Sequence, residues 1–279
     1  MKNDIFEQML ARYDIKNKAD KENAMHEVMQ QIALAGLYRG GFFERAAFYG
    51  GTCLRIFHNL PRFSEDMDFS LLETDGETHL EDYFEAIVDE FKAAGREITI
   101  AKKEKKTLTN VESAFLKDNT EIYNLKFNTE RSVKIKIEVD ITPPLGFSTE
   151  YKLLILPFSF MVRCYTLPDL YAGKISAFLF RKWQSRVKGR DWYDFEWYVR
   201  NGVPLNLSHL QKRAEETESF PQKKITKKIF IELMNEKIKN TDISLVKKDV
   251  FPFIKDEEEL QIWTKEYFLE LVRMIKFLG

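Results

Sequence analysis

The chain has 279 residues, of which 44% are hydrophobic, and phenylalanine alone occurs 23 times. This composition supports a sizeable core and excludes an intrinsically disordered protein. The 43 basic and 44 acidic residues give a net charge of -1, so global charge provides no argument for nucleic-acid binding. The two cysteines, Cys53 and Cys164, have no zinc-like spacing and are expected to be small core residues in a reducing compartment.

The first part of the chain mixes helical and strand-like patterns. Apolar residues at helical spacing predict helices at 20–38, 52–60 and 80–94. Strands are predicted at 46–49, 67–73, 97–103, 121–128, 132–142 and 158–165. Neither a signal-peptide segment nor a run of about 18 apolar residues occurs, so we expect a cytoplasmic protein with no membrane partner.

After Pro168 the patterns become helical throughout. Helices are predicted at 168–183, 191–200, 205–217, 222–239 and 257–277. We therefore expect an α+β protein, with a mixed sheet and flanking helices in residues 1–165 and a helical domain in residues 166–279.

The dipeptide Gly50-Gly51 stands between a predicted strand and a predicted helix. Backbone N–H groups at a helix N-terminus bind anions such as phosphate, and glycine lets a ligand approach the backbone closely. Thr52 adds a hydroxyl that can cap the helix. The alternative is a plain strand-to-helix turn.

Asp66 and Asp68 are two residues apart in a strand pattern, so their carboxylates project from one face. A divalent cation with oxygen ligands relieves the repulsion between them. The strand at 132–142 alternates strictly and places Glu138 and Asp140 on its polar face. A third carboxylate from this strand completes a magnesium site suited to phosphoryl or nucleotidyl transfer. The alternatives are a solvated strand edge and a half-exposed sheet with lysine–glutamate pairs.

The helical part contains a cluster of charged residues in the stretch from Thr166 to Val199. Lys174 and Arg181 are predicted to share one helix face, where they are suited to triphosphate oxygens. Arg190, Asp191 and Asp194 follow at a loop–helix junction. The alternative is that Asp191 caps the helix and Arg190 pairs with an acid.

Four stretches together resemble the motifs of the AbiEii/AbiGii-type nucleotidyltransferases, a branch of the DNA polymerase beta-like superfamily. "GGTCLR…RFSEDMDFS" resembles the first motif, and "VKIKIEVDI" resembles the second. "LPDLYAGKISAFLFR" and "KGRDWYDFEWYV" resemble the third and fourth. The residues that fit the first motif are Gly50, Gly51, Thr52, Leu54, Arg55, Arg62, Ser64, Asp66, Asp68 and Phe69. The resemblance covers roughly residues 25 to 200.

The resemblance implies a nucleotidyltransferase core and a helical domain that closes over the nucleotide. It also implies the toxin of a type IV toxin–antitoxin or abortive-infection system, using an NTP and Mg²⁺ or Mn²⁺. The implied acceptor is an RNA such as the tRNA 3′ end, and the implied partner is a cognate winged-helix antitoxin. The rival expectations are a non-catalytic nucleotide or RNA binder of the same fold, and nucleotidyl or phosphotransfer onto a protein.

The resemblance also implies roles for individual residues. Asp66 and Asp68 bind the metal, with Glu138 or Asp140 as the third carboxylate or as the base; Glu138 is favoured because of its position after Lys136. Lys174 takes the place of the motif's lysine and, with Arg190, neutralises the triphosphate. Either Asp191 or Asp194 positions that basic group. The residues implied to bind the nucleotide are Gly50, Gly51, Thr52, Arg55, Ser64, Lys174, Arg181, Arg190 and Asp194.

Overall fold

The structure is a computed structural model, and its chain groups into two compact units. It describes residues 4–74, 76–103, 120–127, 134–181, 187–216, 224–254 and 256–278. The first unit comprises Met1–His58, Ser64–Pro143 and Thr149–Cys164, and the second comprises Asn59–Phe63, Pro144–Ser148 and Tyr165–Gly279. Two short segments from the first 165 residues thus belong to the second unit.

The first unit contains a seven-stranded sheet and four of the described helices. The strands are β1 (Ala46–Tyr49), β2 (Asp66–Leu71), β3 (Ile98–Lys102), β4 (Thr120–Phe127), β5 (Lys134–Asp140), β6 (Thr149–Leu154) and β7 (Phe160–Tyr165). The helices are α1 (Ile5–Leu10), α2 (Lys18–Arg39), α3 (Gly50–His58) and α4 (Phe84–Ala93), with short 3₁₀ segments at Phe42–Glu44 and Leu80–Tyr83.

The sheet has the order β3-β4-β5-β2-β1-β7-β6 and is mixed. Three pairs are antiparallel: β1 with β2, β3 with β4, and β4 with β5. Two pairs are parallel: β2 with β5, and β1 with β7. The mixed sheet with helices confirms the predicted fold class.

The predicted alternation of β5 is confirmed as far as Val139, whereas Asp140, predicted on the polar face, is buried. Ile135, Ile137 and Val139 are buried, whereas Lys136 and Glu138 between them are half-buried. The prediction that both cysteines are core residues is also confirmed, because Cys53 and Cys164 are free thiols with no exposed surface. Among the α-helices and strands of the described residues, three were not predicted: α1, β6 and a helix at Ile243–Val250.

The second unit is helical in its described residues. Its helices are α5 (Leu167–Phe180), α6 (Gly189–Arg200), α7 (Leu207–Glu215), α8 (Lys227–Asn240), α9 (Ile243–Val250) and α10 (Lys265–Arg273), with 3₁₀ segments at Phe251–Phe253 and Glu257–Leu260. Trp192, Trp263 and Phe268 pack edge-to-face in its core. No helix in the described part of the chain has the length and apolarity needed to cross a membrane.

The predicted single helix at 257–277 is wrong. A 3₁₀ segment ends at Leu260, and α10 begins only after Thr264, whose hydroxyl accepts a hydrogen bond from the backbone N–H of Tyr267. Between them, the buried Trp263 donates its indole N–H to Glu196 at 2.7 Å. Phe277 pairs with Leu205 in an isolated parallel bridge. Side-chain capping and burial of the tryptophan therefore divide what looks like one helical pattern.

Candidate active site

The glycine pair lies where β1 leads directly into α3. Gly50 has φ +82°, a left-handed conformation that favours glycine. A Cβ on Gly50 would overlap Oδ2 of Asp68 and lie 2.8 Å from its Cγ. The backbone of the turn and the carboxylate of β2 are therefore in close contact, and only glycine leaves room for it.

Thr52 connects the same helix to the start of β2. Its side chain is buried, and its hydroxyl donates a hydrogen bond to the backbone carbonyl of Asp66. Strand pairing adds a second connection, since Tyr49 at the end of β1 is opposite Asp68 in the antiparallel register. Two independent interactions thus fix the β2 carboxylates relative to the first turn of α3.

The parallel register of β2 and β5 brings the acidic residues together. Asp68 is opposite Glu138, whereas Asp140 is two residues further along and opposite Ser70. Asp140 is only 6% exposed, while Asp66, Asp68 and Glu138 are half-buried. The side chain beside the two β2 aspartates is therefore that of Glu138.

A lysine lies among these carboxylates. Lys136 is opposite Asp66 in the register, and its Nζ is 3.6 Å from Oδ2 of Asp66 and 2.7 Å from Oε1 of Glu138. Burial opposes the charged form, but the attraction of Glu138, Asp66 and Asp68 raises the pKa of Lys136 above its ordinary value. The ammonium thus partly compensates the repulsion between the carboxylates.

The carboxylate oxygens of Asp66, Asp68 and Glu138 are hard ligands of the kind that Mg²⁺ prefers. Their side chains project from one face of adjacent strands, and the Cβ-free surface of Gly50 borders that of Asp68. Their oxygens do not all lie within 4.8 Å of one another, as expected for like charges around a lysine. The chemical type of these donors suits a divalent cation, although their oxygens do not converge on one point in this structure.

Another acidic group lies elsewhere in the first unit. Within the described part of the chain, one ligand atom each from His79, Glu81 and Glu121 lies within 4.8 Å of the other two. Lys102 Nζ is 2.8 Å from Glu81 and 2.7 Å from Glu121, and the Tyr123 hydroxyl, with a single proton to donate, lies within hydrogen-bonding distance of both carboxylates. These acids form an ionic network that already contains its own cation.

Arg55 and Ser64 are the other predicted nucleotide ligands in the first unit. The Arg55 guanidinium donates to Glu27 on α2 at 2.8 Å, and this carboxylate also accepts from Tyr13. The backbone carbonyl of Ser64 accepts a hydrogen bond from the buried Gln30 at 2.9 Å. Arg55 connects α3 to α2, and Ser64 lies in the segment that leads into β2.

In the second unit, Asp194 is the centre of a buried ion-pair cluster. Arg62 donates two hydrogen bonds to its two carboxylate oxygens, each at 2.6 Å, and Lys174 Nζ is 2.9 Å from Oδ2. The side chains of Asp194 and Arg62 are 0% and 2% exposed, while that of Lys174 is 21% exposed. Lys174 is thus ion-paired with Asp194 while part of its side chain stays exposed to solvent.

Burial would raise the pKa of Asp194, but the charges of Arg62 and Lys174 outweigh this effect and lower it to about 2. Burial likewise opposes the charge on Arg62, and the attraction of Asp194 nevertheless raises the pKa of that guanidinium. Both groups are therefore charged throughout the physiological pH range, and each depends on the other for its compensation.

Further cations surround the start of α6. Arg190, in the first turn, stacks its guanidinium on the Phe253 ring at 4.2 Å. Burial lowers the pKa of Lys188 to about 8; Asp191 opposes this shift, and neighbouring cations, including Arg190, add to it. This part of the second unit therefore carries an excess of positive charge that suits an anion.

Arg181 does not share a helix face with Lys174 as predicted. Helix α5 ends at Phe180, and Arg181 follows it with an extended backbone and an exposed side chain. Asp191 is the third residue of α6 and is buried; it follows Lys188, the N-cap residue, rather than capping the helix itself. Lys174 and Asp194 lie within helices, as predicted. Arg190, predicted to lie just before the helix, is the second residue of α6.

The profile of the family described as "Nucleotidyl transferase AbiEii toxin, Type IV TA system" matches residues 32–271. The chain belongs to the AbiEii family of nucleotidyltransferase toxins. The resemblance found in the motifs is thereby confirmed, and the chain is a nucleotidyltransferase. Membership implies an NTP substrate and a cognate antitoxin. No curated protein sequence matches the chain significantly.

Two solved structures share the fold of this AbiEii-family chain. MenT4, a nucleotidyltransferase toxin from Mycobacterium tuberculosis H37Rv, is 15% identical, with a TM-score of 0.51 over 95% of this chain and 86% of that one. JHP933 from Helicobacter pylori is also 15% identical, with a TM-score of 0.53 over 94% of this chain and 93% of that one. At such low identity the likeness shows the fold alone.

Sequence reasoning did not assign roles to Arg62, Lys136 or Lys188. Arg62 fits the first motif, but its partner Asp194 is 132 residues away in the chain. Lys136 carried a usable signal, since a lysine two residues before Glu138 on a strand lies on the same face. Lys188 carried none, because the burial that lowers its pKa comes from tertiary packing.

Proposed function

We propose that this AbiEii-family chain uses a divalent metal to transfer a nucleotide from an NTP to an acceptor hydroxyl, whose oxygen bonds to the α-phosphorus as pyrophosphate leaves. The observation that carries the proposal is the arrangement at the end of β1. Gly50 touches the Asp68 carboxylate at a place where any Cβ would overlap it, so only glycine fits there. Asp68 is in turn opposite Glu138 in the strand register. Close backbone approach and paired hard ligands are what a bound nucleotide–metal complex requires.

Asp66, Asp68 and Glu138 would hold Mg²⁺ or Mn²⁺. When bound, the ion neutralises the triphosphate and lowers the pKa of the attacking hydroxyl. Glu138 is preferred to Asp140 because it is directly opposite Asp68 and more exposed. Lys136 supplies the compensating charge in the absence of metal, since its ammonium already contacts two of these carboxylates.

The phosphates would bind to the backbone N–H groups of Gly50, Gly51 and Thr52. These residues form the first turn of α3, where N–H groups lack intrahelical partners. Arg55 and Ser64, which flank this turn and β2 in the chain, are proposed as secondary nucleotide contacts.

On the basis of the family resemblance, Lys174 in the second unit is proposed to bind phosphate oxygens, with Asp194 positioning its ammonium group. An ammonium has three N–H donors, so the contact with Asp194 leaves others for phosphate oxygens. Arg190 and Arg181 would add positive charge to this region. Asp191 would offset part of that positive charge near Lys188.

The acceptor is proposed to be an RNA, specifically the 3′-hydroxyl of tRNA, on the basis of the family resemblance. The partner is proposed to be a winged-helix antitoxin. Co-expression of a neighbouring candidate antitoxin should restore the growth of cells in which this chain is toxic. If no neighbouring gene relieves the toxicity, or if the chain is not toxic, the toxin–antitoxin role is refuted.

The test of the chemistry uses the purified chain, a tRNA pool and each NTP labelled in turn on the α- and γ-phosphate. We expect α-label in RNA, dependent on Mg²⁺ and abolished by EDTA and by Asp66→Ala. Asp89→Ala is the matched control, because Asp89 is an exposed aspartate on α4. Label in protein would instead favour a protein acceptor, γ-label would favour phosphotransfer, and NTP binding without any labelling would favour a non-catalytic binder. Label that persists in Asp66→Ala refutes the site.

A further inference from the structure

Strand β6 is the last strand of the sheet on one side. Its neighbour is β7, and in the described part of the chain no strand pairs with its outer edge. Such an edge offers N–H and C=O groups to any other strand, and natural proteins usually protect it with proline, charges or a bulge. The sequence of β6, TEYKLL, contains no proline and carries one acid and one base, so its net charge is zero.

One face of this edge carries apolar side chains that are open to solvent, with the Arg163 guanidinium of β7 over the Tyr151 ring at 5.0 Å. Tyr151, Leu153 and Ile155 follow at every second residue and are 51%, 57% and 64% exposed. Met161 on the adjacent β7 is 39% exposed. Single exposed apolar side chains are ordinary, but a row of them along an unpaired edge is typical of an interaction surface.

The other face of β6 carries the two charges. Lys152 Nζ is 3.1 Å from Oε2 of Glu150, and the side chains are 29% and 38% exposed. Glu150 and Lys152 lie one on each side of Tyr151 in the sequence. Reversal of the strand about Tyr151 therefore exchanges the position of the acid with that of the base.

We propose that β6 pairs with β6 of a second copy of this chain, antiparallel and about a two-fold axis at Tyr151. In an isologous interface the contact of one residue with another is repeated by the symmetry, with the two copies exchanged. Here Glu150 lies opposite Lys152 of the second copy and Lys152 lies opposite Glu150 of the second copy. Opposite charges in directly opposed positions stabilise an antiparallel pair, and two tyrosines meet at the axis.

The neighbouring registers are less favourable. An axis at Lys152 brings two lysines directly opposite each other, which is repulsive. An axis at Leu153 places Lys152 opposite Leu154 and leaves both charges without an opposed partner. The charge order of the strand therefore selects the register centred on Tyr151 and a second copy as the partner.

The first experiment measures mass in solution by sedimentation across a series of protein concentrations. We expect a dimer for the natural chain, a shift to monomer for Glu150→Lys and for Lys152→Glu, and a restored dimer for the double exchange. The matched control exchanges Asp89 and Lys92, an exposed ion pair on α4, and should leave the dimer unchanged. A monomeric natural chain, or a double exchange that stays monomeric while folded, overturns the proposal.

The second experiment tests the register by oxidative cross-linking with copper–phenanthroline as the oxidant. In the proposed register the Cα atoms of Tyr151 in the two copies are about 4.5–5.5 Å apart, within reach of a disulfide. Those of Leu153 are about 14 Å apart, because the two residues are offset by four positions. Tyr151→Cys should therefore form a covalent dimer, and Leu153→Cys should not. The reverse result overturns the register, and cross-linking of neither variant overturns the pairing.

Discussion

Replacement of Asp194 by asparagine removes the carboxylate that two cations share. The side chain keeps its size, so the change tests charge rather than packing. Arg62 would remain buried at 2% exposure with its charge uncompensated, since Asp194 accepts two of its hydrogen bonds. Removal of one partner from such a buried pair costs about 3–5 kcal/mol of unfolding free energy.

The pKa of Asp194 gives a second, lower value for its contribution to the free energy of unfolding. A shift from 3.8 to about 2 corresponds to roughly 2 kcal/mol of stability at neutral pH. Because the pKa in the folded state is depressed, this stability is fully present above the unfolded pKa. It is lost as the pH falls from about 4 through about 2. The acid sensitivity of the natural chain should therefore be reduced in Asp194→Asn, which has no carboxylate to protonate at this position.

The assay is urea unfolding followed by circular dichroism, at neutral pH and at a series of lower pH values. Lys174→Met is the matched comparison, because it removes a partially exposed cation and leaves both Arg62 hydrogen bonds in place. We expect it to lose about 1 kcal/mol and nearly all nucleotide transfer. If Asp194→Asn stays within about 0.5 kcal/mol of the natural chain, the buried cluster does not have the energetics described here.

Three further predictions concern the first unit. Gly50→Ala should lower the melting temperature and abolish transfer, because a left-handed alanine costs about 1–2 kcal/mol and its Cβ overlaps Asp68; unchanged melting and activity would contradict this. Lys136→Met should increase the rise in melting temperature that Mg²⁺ produces, measured by scanning fluorimetry, since the carboxylates lose their internal cation; an equal rise in both proteins would exclude competition between lysine and metal. The Cys53 thiol, fully buried and with its pKa raised by burial, should react with a thiol reagent only after unfolding; prompt reaction of the native protein would refute its burial.

The connection β1–α3–β2 was predictable because each part has a local cause. Gly50 supplies the left-handed turn, and the alternation around Met67 places its side chain in the core and those of the adjacent aspartates on the other face. The fold class followed from the same local patterns, since strands mixed with helices precede a run of helices. None of these inferences required knowledge of contacts distant in sequence.

The parts that could not be predicted depend on tertiary contacts. The break before α10 arises because Trp263 is drawn into the core and donates to Glu196, 67 residues earlier. The pairing of Arg62 with Asp194 likewise joins positions that no periodicity relates. Strand β6 was missed because six residues with one acid and one base give a weak alternating pattern.

The register between β2 and β5 could not be predicted from the sequence either, so Glu138 and Asp140 remained alternatives for the third carboxylate. Both lie on the same face of β5, so alternation treats them alike. The pairing of β5 with β2 separates them, because Asp68 is opposite Glu138 and Ser70 is opposite Asp140. The preference for Glu138 as the third carboxylate therefore rests on a contact between strands.

The rate of nucleotide transfer by Asp68→Asn tests most directly whether the β2 carboxylates carry the reaction. The measurement is a single-turnover rate with labelled NTP and RNA over a range of Mg²⁺ concentrations, with melting temperature as the check on folding. We predict a loss of roughly a thousandfold at every Mg²⁺ concentration, as for removal of a group that contacts the reacting atoms. A folded variant whose rate stays within about tenfold of the natural chain would contradict the assignment of the active site to β2.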